Sequence, residues 1–234
     1  MLSVGSGESA ALRIAVEPLT LLERAHLNLR LRSVPWRRVV EFFENNGRLV
    51  DFGCGFGLLA YLLSKAGFGG SYLGLDPDPK KVDRARRWLP EPDERKFRVG
   101  SVDGAPPGAF SQAALIDVLY LVPPNERLDF LEKAVRALEP GGLFVALTSG
   151  GGPWWKRLWD RAQERLAVAL GITRGETVAP CDGAEVARLL TAAGLTGARV
   201  VDMGRGFMHG FELVTARRPR TSEVNLRGVP ANQA

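Results

Sequence analysis

The chain has 234 residues, of which 45% are hydrophobic and 24% charged, and this composition fits one globular domain with a substantial core. No apolar run approaches the roughly 20 residues of a membrane span, and the first residues lack the order of a secretory signal, so we expect a cytoplasmic protein. The two cysteines, Cys54 and Cys181, support neither a disulfide framework nor a cysteine metal cluster, and we expect no bound metal.

The net charge of +5 is concentrated at the C-terminus. From Arg217 onward four arginines oppose one glutamate, which leaves about +2 for residues 1–216. Because residues 217–234 have little apolar content to bury, we expect a disordered, solvated basic tail. The alternative is a nucleic-acid-binding arm, but the near-neutral remainder of the chain favours no nucleic-acid partner.

Short apolar runs alternate with helical patterns along the chain, which indicates a parallel sheet covered by helices. A helical section, Pro18–Phe43, comes first and is interrupted at Pro35. The predicted strands are Arg48–Phe52, Ser71–Leu75, Lys96–Val99, Ala113–Asp117, Leu143–Thr148, Ala198–Met203 and Phe211–Ala216. The predicted helices between them are Gly57–Lys65, Lys80–Trp88, Asn125–Ala137 and Gly183–Ala193.

The stretch Leu49-Val-Asp-Phe-Gly-Cys-Gly-Phe-Gly-Leu-Leu59 joins the first strand to the helix after it. Its glycines, Gly53, Gly55 and Gly57, allow backbone conformations that other residues avoid and let a ligand approach the main chain. The N–H groups that begin the next helix would point at that ligand. A dinucleotide-binding turn needs its third glycine at the position of Leu58, so a nicotinamide-dependent oxidoreductase is disfavoured.

This turn, preceded by Asp51, resembles the first motif of class I S-adenosylmethionine-dependent methyltransferases. The family's later motifs follow in order in Tyr72-Leu-Gly-Leu-Asp76, Phe97-Arg-Val-Gly-Ser-Val-Asp103, Leu115-Ile-Asp-Val-Leu-Tyr-Leu-Val-Pro123 and Leu138-Glu-Pro-Gly-Gly-Leu-Phe144. The resemblance covers residues 46–148 well and 183–216 loosely. It implies a doubly wound α/β fold whose seven-stranded, mostly parallel sheet has the order 3-2-1-4-5-7-6, with strand 7 antiparallel.

The resemblance also implies S-adenosylmethionine as the cofactor, with Asp76 binding both ribose hydroxyls. A carboxylate suits that role because it only accepts hydrogen bonds, and a vicinal diol offers two donors. Many relatives place an aspartate beside the adenine where this chain has Ser101, so either Asp103 reaches back or Ser101 and a backbone group substitute. The implied cofactor-binding residues are Asp51, Gly53, Cys54, Gly55, Gly57, Asp76, Pro77, Ser101, Val102, Asp103 and Asp117.

The acceptor is expected where the carboxyl ends of the parallel strands meet, bordered by Asp117, Tyr120 and Ser149. Because the seventh strand is antiparallel, its beginning reaches the same edge and places His209 near the methyl group. A hydroxyl acceptor would benefit from a base, so His209 is the first catalytic candidate, followed by Asp117 and Tyr120. His209 is alternatively a loop residue without a catalytic role, and His26 is a weaker candidate from the helical section.

An insertion is predicted at residues 150–182, between the fifth strand and the last helix. Within it, Trp154–Leu170 repeats tryptophan and leucine at the spacing of one helix face, flanked by basic residues. Such a helix is either a lid or a peripheral membrane contact, since clustered tryptophans on a basic amphipathic helix suit a membrane interface. Together with the leucine-rich stretch Leu19–Leu31, it favours a lipid-like or aromatic acceptor.

We therefore divide the chain into a helical section, 1–45, a cofactor domain, 46–216, and the tail, 217–234. The expected reaction is methyl transfer to a small hydrophobic acceptor, most often at oxygen, with carbon and nitrogen left open. A methyltransferase of RNA or protein is the alternative, and a non-catalytic cofactor-binding module is another. The sequence favours no oligomeric state.

Overall fold

Seven segments of the described residues form strands, and all seven join one sheet. The computed structural model describes residues 21–89, 95–149, 179–204 and 210–220. The strands β1 to β7 are Arg48–Phe52, Ser71–Asp76, Arg95–Val99, Phe110–Ile116, Leu138–Ser149, Thr196–Asp202 and Phe211–Arg217. The helices α1 to α6 are Leu21–Ser33, Trp36–Val40, Leu58–Lys65, Pro79–Trp88, Arg127–Arg136 and Gly183–Ala192. Two 3₁₀ turns are Val102–Gly104 and Leu119–Leu121.

The strand order across the sheet is β3-β2-β1-β4-β5-β7-β6. The first five strands are parallel to one another, and β7 is antiparallel to both β5 and β6. This order and the direction of β7 confirm the predicted doubly wound α/β fold. Since β1, β2, β4 and β5 run in the same direction, the residues that follow them lie at one edge of the sheet.

Two layers of apolar side chains sandwich the sheet, one on each face. The first layer includes Leu27 of α1, Trp36 of α2 and Leu59 of α3. The second includes Leu131 of α5 and Leu190 of α6. The central strand β1 is buried on both faces, which explains its nearly continuous apolar sequence. Burial of these layers is the main stabilising contribution to the fold.

Aspartate side chains cap two of the helices and explain where those helices begin. The Asp78 carboxylate accepts a 2.9 Å hydrogen bond from the Lys80 amide, and Pro79 occupies the first turn of α4. The Asp182 carboxylate accepts a 2.8 Å bond from the Glu185 amide at the start of α6. Both helices therefore begin within one residue of their predicted start.

The ordered sheet extends beyond the predicted start of the C-terminal tail. Arg217 is the last residue of β7, and its guanidinium binds the Glu44 carboxylate at 2.8 Å and the Gly141 carbonyl at 3.0 Å. Arg218 exchanges backbone hydrogen bonds with Gly141 and Gly142. β7 ends at Arg217, one residue into the predicted tail, because antiparallel pairing with β5 includes this arginine. β5 begins at Leu138, before the predicted Leu143, because Leu138 pairs with Phe110 of β4.

Several sequence predictions fall on residues outside the described part of the chain. They are the Trp154–Leu170 helix, most of the insertion, His209 and the tail after residue 220. Among the helices of the described ranges, none has the length and apolar character needed to cross a membrane.

Candidate cofactor and acceptor site

The glycine turn, residues 53–57, joins β1 to α3 at the carboxyl-end edge of the sheet. Gly53, Gly55 and Gly57 have φ values of +73°, +53° and +77°, the left-handed region that favours glycine. A Cβ at Gly53 would lie 2.5 Å from a methyl group of Val118, and one at Gly57 would lie 2.8 Å from Leu89. A Cβ at Gly55 would meet no atom within 4 Å among the described residues. The turn is therefore packed tightly at both ends and open in the middle.

Asp76 is the last residue of β2, and its carboxylate is fixed against the open part of this turn. Its Oδ2 accepts a 2.9 Å hydrogen bond from the Gly55 amide, and its Oδ1 accepts one of 2.9 Å from the Asp78 amide. The amides of Gly53 and Cys54 also donate to the Leu75 carbonyl, so turn and strand form one unit. Each carboxylate oxygen keeps a further lone pair, which fits the binding of two hydroxyl donors.

Asp51 lies beneath the glycine turn rather than on its open side. The Tyr72 hydroxyl donates a 2.5 Å hydrogen bond to its Oδ2, and the two residues are only 2% and 4% exposed. Burial raises the pKa of Asp51 to about 7; the Tyr72 hydrogen bond opposes this shift and the nearby Asp76 charge adds to it. Burial also raises the pKa of Tyr72 well above its usual value. The pair can hold a proton at neutral pH without contact with solvent.

The remaining predicted cofactor residues differ in burial. Cys54 is buried against Gly74, and burial raises the pKa of its thiol well above the usual value, so the sulfur stays protonated. Pro77 is exposed directly after Asp76. In the 3₁₀ turn after β3, Val102 is buried in the second apolar layer.

Ser101 and Asp103 are the two alternatives for the adenine contact, and their side chains have different surroundings in the structure. Ser101 is exposed just before the 3₁₀ turn, and its side chain makes no capping hydrogen bond to that turn. The Asp103 side chain is 72% exposed, and its carboxylate lies 3.9 Å from the Lys133 ammonium on α5. Asp103 therefore faces α5 in this structure.

Arg30 joins Asp117, Tyr120 and Ser149, the residues predicted to border the acceptor, at the ends of α1, β4 and β5; we call these four residues the acceptor rim. The Arg30 guanidinium lies 2.5 Å from Asp117 Oδ2, and the Ser149 hydroxyl donates a 3.0 Å bond to Oδ1. Asp117 has φ +57° and donates its amide to the Leu147 carbonyl at 2.8 Å. Burial lowers the pKa of Arg30, but the attraction of Asp117 and Tyr120 outweighs it and raises the pKa above its usual value.

The structure brings most of the predicted site residues together at one edge of the sheet. Val118, the neighbour of Asp117, is the residue that packs against Gly53, so the acceptor rim and the glycine turn are in direct contact. Tyr120 lies in the 3₁₀ turn after β4 and accepts a 3.0 Å bond from the Ala179 amide. His209 is outside the described residues, and its position near this edge stays a prediction. In the described ranges no cluster of His, Cys, Asp and Glu side chains is arranged to hold a metal ion.

Two residues of the site, Tyr72 and Arg30, were not predicted. Tyr72 could have been predicted from the register of β1 and β2, in which Asp51 pairs with Gly74. Tyr72 lies two residues before Gly74, and therefore on the same face of β2. Arg30 had none, because 87 residues separate it from Asp117 and no local pattern links a helix to the end of a distant strand.

Residues 49–142 match the family model of the methyltransferase domain, a stretch that includes the glycine turn, Asp76 and Asp117. No curated protein matches the chain. Human N-acetylserotonin methyltransferase, solved in complex with S-adenosylmethionine, is 20% identical with a TM-score of 0.64, over 84% of this chain and 55% of that one. The chain thus spans about half the length of that enzyme.

Two bacterial structures are similar to a comparable degree. An S-adenosylmethionine-dependent methyltransferase from Mesorhizobium loti is 21% identical with a TM-score of 0.61, over 80% of this chain and all of that one. An O-methyltransferase family protein from Burkholderia thailandensis is 17% identical with a TM-score of 0.66, over 85% and 60%. These likenesses show the fold. The domain match over residues 49–142 and the seven-stranded order together support a class I S-adenosylmethionine-dependent methyltransferase, with S-adenosylmethionine as the cofactor.

Proposed function

We propose that the protein transfers the methyl group of S-adenosylmethionine to an oxygen atom of a small hydrophobic acceptor. The observation that carries this proposal is the contact between Val118 and Gly53, because it makes the cofactor turn and the acceptor rim one continuous site. In that site Asp76 accepts hydrogen bonds from the ribose hydroxyls, and the open middle of the glycine turn admits the rest of the cofactor. Ser101, with a backbone group, is assigned to the adenine, since Asp103 faces Lys133.

The cofactor, when bound, supplies a methyl group already activated by the sulfonium. The protein's task is then to align an acceptor atom in line with that methyl group and to exclude water. Asp117 is held by the Arg30 guanidinium and the Ser149 hydroxyl, so each of its carboxylate oxygens already has a partner. Asp117 therefore suits orientation of the acceptor, with Tyr120 beside it, while proton removal is assigned to His209.

Two structural neighbours and the sequence of Trp154–Leu170 support a small hydrophobic acceptor that is methylated at oxygen. One structural neighbour is named for N-acetylserotonin, and another belongs to an O-methyltransferase family. The sequence of Trp154–Leu170 predicts a tryptophan- and leucine-rich helix face, which suits an aromatic or lipid-like acceptor.

The same predicted helix is a candidate for peripheral membrane contact, which vesicle co-sedimentation with and without anionic lipid would test.

The experiment that tests the proposal has two stages. Calorimetric titration with S-adenosylmethionine and S-adenosylhomocysteine should show one saturable site per chain. Transfer of a radiolabelled methyl group is then measured against a panel of phenols, aliphatic alcohols and amines of similar size. Label found in a phenol or alcohol supports the proposal. Binding of neither nucleoside, or transfer only to amines, would contradict it.

A further inference from the structure

We infer that Arg30 sets the charge preference of the acceptor rim: by pairing with Asp117, it makes the rim select uncharged acceptors over amine cations. This inference rests on the proposed function, since Asp117 meets an acceptor only if methyl transfer takes place at this rim. Arg30, the specificity-determining residue, lies on the helix before the sheet, outside the stretch 49–142 that matches the methyltransferase domain.

The geometry of the pair supports this assignment. The Arg30 guanidinium lies 2.5 Å from Asp117 Oδ2, with the two side chains 29% and 8% exposed. A carboxylate buried to that degree without a partner would be strongly unfavourable and would attract a cation from solvent. With Arg30 in place the pair carries no net charge, and an approaching ammonium group meets the guanidinium. The rim as it stands therefore favours neutral hydrogen-bonding groups.

The position of Asp117 does not depend on Arg30. Its left-handed backbone is fixed by the 2.8 Å bond from its amide to the Leu147 carbonyl, and Ser149 holds the second carboxylate oxygen at 3.0 Å. Removal of the guanidinium therefore leaves a carboxylate at the same place with one oxygen unpaired. Such a group is a binding site for a cation of matching size.

The helix that carries Arg30 is also held independently of the ion pair. Leu27 on α1, Val34 after it and Trp36 on α2 are buried in the first apolar layer. The Trp36 indole donates a 3.0 Å hydrogen bond to the Arg30 carbonyl, a contact that does not involve the guanidinium. Replacement by methionine keeps an unbranched apolar stem and removes the guanidinium with its charge and its hydrogen-bond donors. Arg30→Met should therefore fold and keep α1 in place.

The test compares two probes that share one phenol ring, 4-ethylphenol and its cationic analogue tyramine. Their dissociation constants are measured by calorimetry on protein saturated with S-adenosylhomocysteine. Wild type should bind 4-ethylphenol more tightly than tyramine. In Arg30→Met the ratio of the two constants should shift toward tyramine by about tenfold, since an ammonium group now meets an unpaired carboxylate. The double variant Arg30→Met with Asp117→Asn, neutral again, should return toward the wild-type ratio.

The matched control is Arg32→Met, which removes an exposed arginine from the same end of α1. It should leave the ratio unchanged. An unchanged ratio in Arg30→Met, or an equal shift in Arg32→Met, overturns the inference. Failure of the proposed function would look different, because S-adenosylhomocysteine would then not bind to wild type, or the labelled methyl group would reach only amines.

Discussion

The Tyr72 hydroxyl donates a 2.5 Å hydrogen bond to the Asp51 carboxylate directly beneath the glycine turn. This bond joins β1 to β2 inside the core, where neither side chain reaches solvent. Asp76 ends the same strand as Tyr72, and its carboxylate binds the Gly55 amide. The strand β2 therefore contacts both Asp51, just before the turn, and Gly55 within it. The ionisation of Asp51 is thereby coupled to the stability of the part of the fold that carries the glycine turn.

The pH dependence of stability should carry the signature of Asp51. Its pKa is near 3.8 in the unfolded chain and about 7 in the folded protein, so the folded state binds more protons between these values. The contribution of this group to the free energy of unfolding is therefore greatest below about pH 4 and is lost as the pH rises toward about 7. Asp51→Asn should reduce the fall of the unfolding free energy with rising pH, by up to about 1.4 kcal/mol per pH unit.

Urea unfolding of wild type and Asp51→Asn across this range measures the effect. Asp103→Asn is the control, because it removes an exposed aspartate and should leave the slope of the wild type unchanged. Parallel curves for wild type and Asp51→Asn would show that the carboxyl group titrates normally.

Substitution of Asp76 should weaken cofactor binding and also lower stability, because its carboxylate accepts the Gly55 and Asp78 amides. Asp76→Ala removes two charge-assisted hydrogen bonds of about 1.5 kcal/mol each, so affinity should fall on the order of a hundredfold. Asp78→Ala removes the α4 cap instead and should cost about 1 kcal/mol of stability with little change in affinity. Calorimetry with S-adenosylhomocysteine and thermal unfolding separate the two effects. Equal affinities for both variants would remove Asp76 from the ribose site.

The glycines of the turn should respond differently to alanine. At Gly53 a Cβ would lie 2.5 Å from Val118, so Gly53→Ala should destabilise the fold, and a second substitution, Val118→Ala, should restore part of the loss. At Gly55 the space is open, and only the positive φ opposes a side chain, at roughly 1–2 kcal/mol. Gly55→Ala should thus mainly lower cofactor affinity. Thermal unfolding and cofactor titration of both variants test this difference. A greater loss of stability in Gly55→Ala than in Gly53→Ala would contradict the prediction.

His209 should affect turnover without affecting the cofactor. If it removes the acceptor proton, His209→Ala should lower kcat by about 10²–10⁴-fold while the affinity for S-adenosylhomocysteine stays unchanged. His26→Ala is the control, since it removes the other histidine of the chain. Full activity of His209→Ala with a phenol acceptor would eliminate the base assignment.

The sequence predicted the sheet well because its determinants are local. The bounds of β1 agree in full with the predicted Arg48–Phe52, since an apolar run between a turn and a glycine motif has few alternatives. Asp76 at the end of β2 followed from the resemblance of Tyr72-Leu-Gly-Leu-Asp76 to the family's second motif. The Arg30–Asp117 pair did not, because tertiary packing brings it together across 87 residues. The order around Arg217 was missed for a similar reason: its partners, Glu44 and Gly141, are distant in the chain, so its charge looked solvated.

Arg127 should be the most sensitive charged residue outside the cofactor turn. It is 1% exposed, and its guanidinium binds the Val122 carbonyl at 3.2 Å, the Ala179 carbonyl, and the Glu185 carboxylate at 2.7 Å. It thus links the turn that carries Tyr120 to the segment before α6. Arg127→Met leaves buried carbonyls without a donor and Glu185 without its partner, so it should cost about 3–5 kcal/mol of unfolding free energy.

Glu185→Gln is the matched comparison for Arg127→Met. The Glu185 side chain is 31% exposed and the glutamine amide oxygen still accepts a hydrogen bond, so the loss should be about 1 kcal/mol or less. Arg127→Lys should fall between them, because one ammonium group cannot reach three acceptors in the geometry of a planar guanidinium. Urea unfolding of the three variants gives the order directly. A loss in Glu185→Gln as large as in Arg127→Met would mean that the ion pair, rather than the carbonyl bonds, carries the stabilisation.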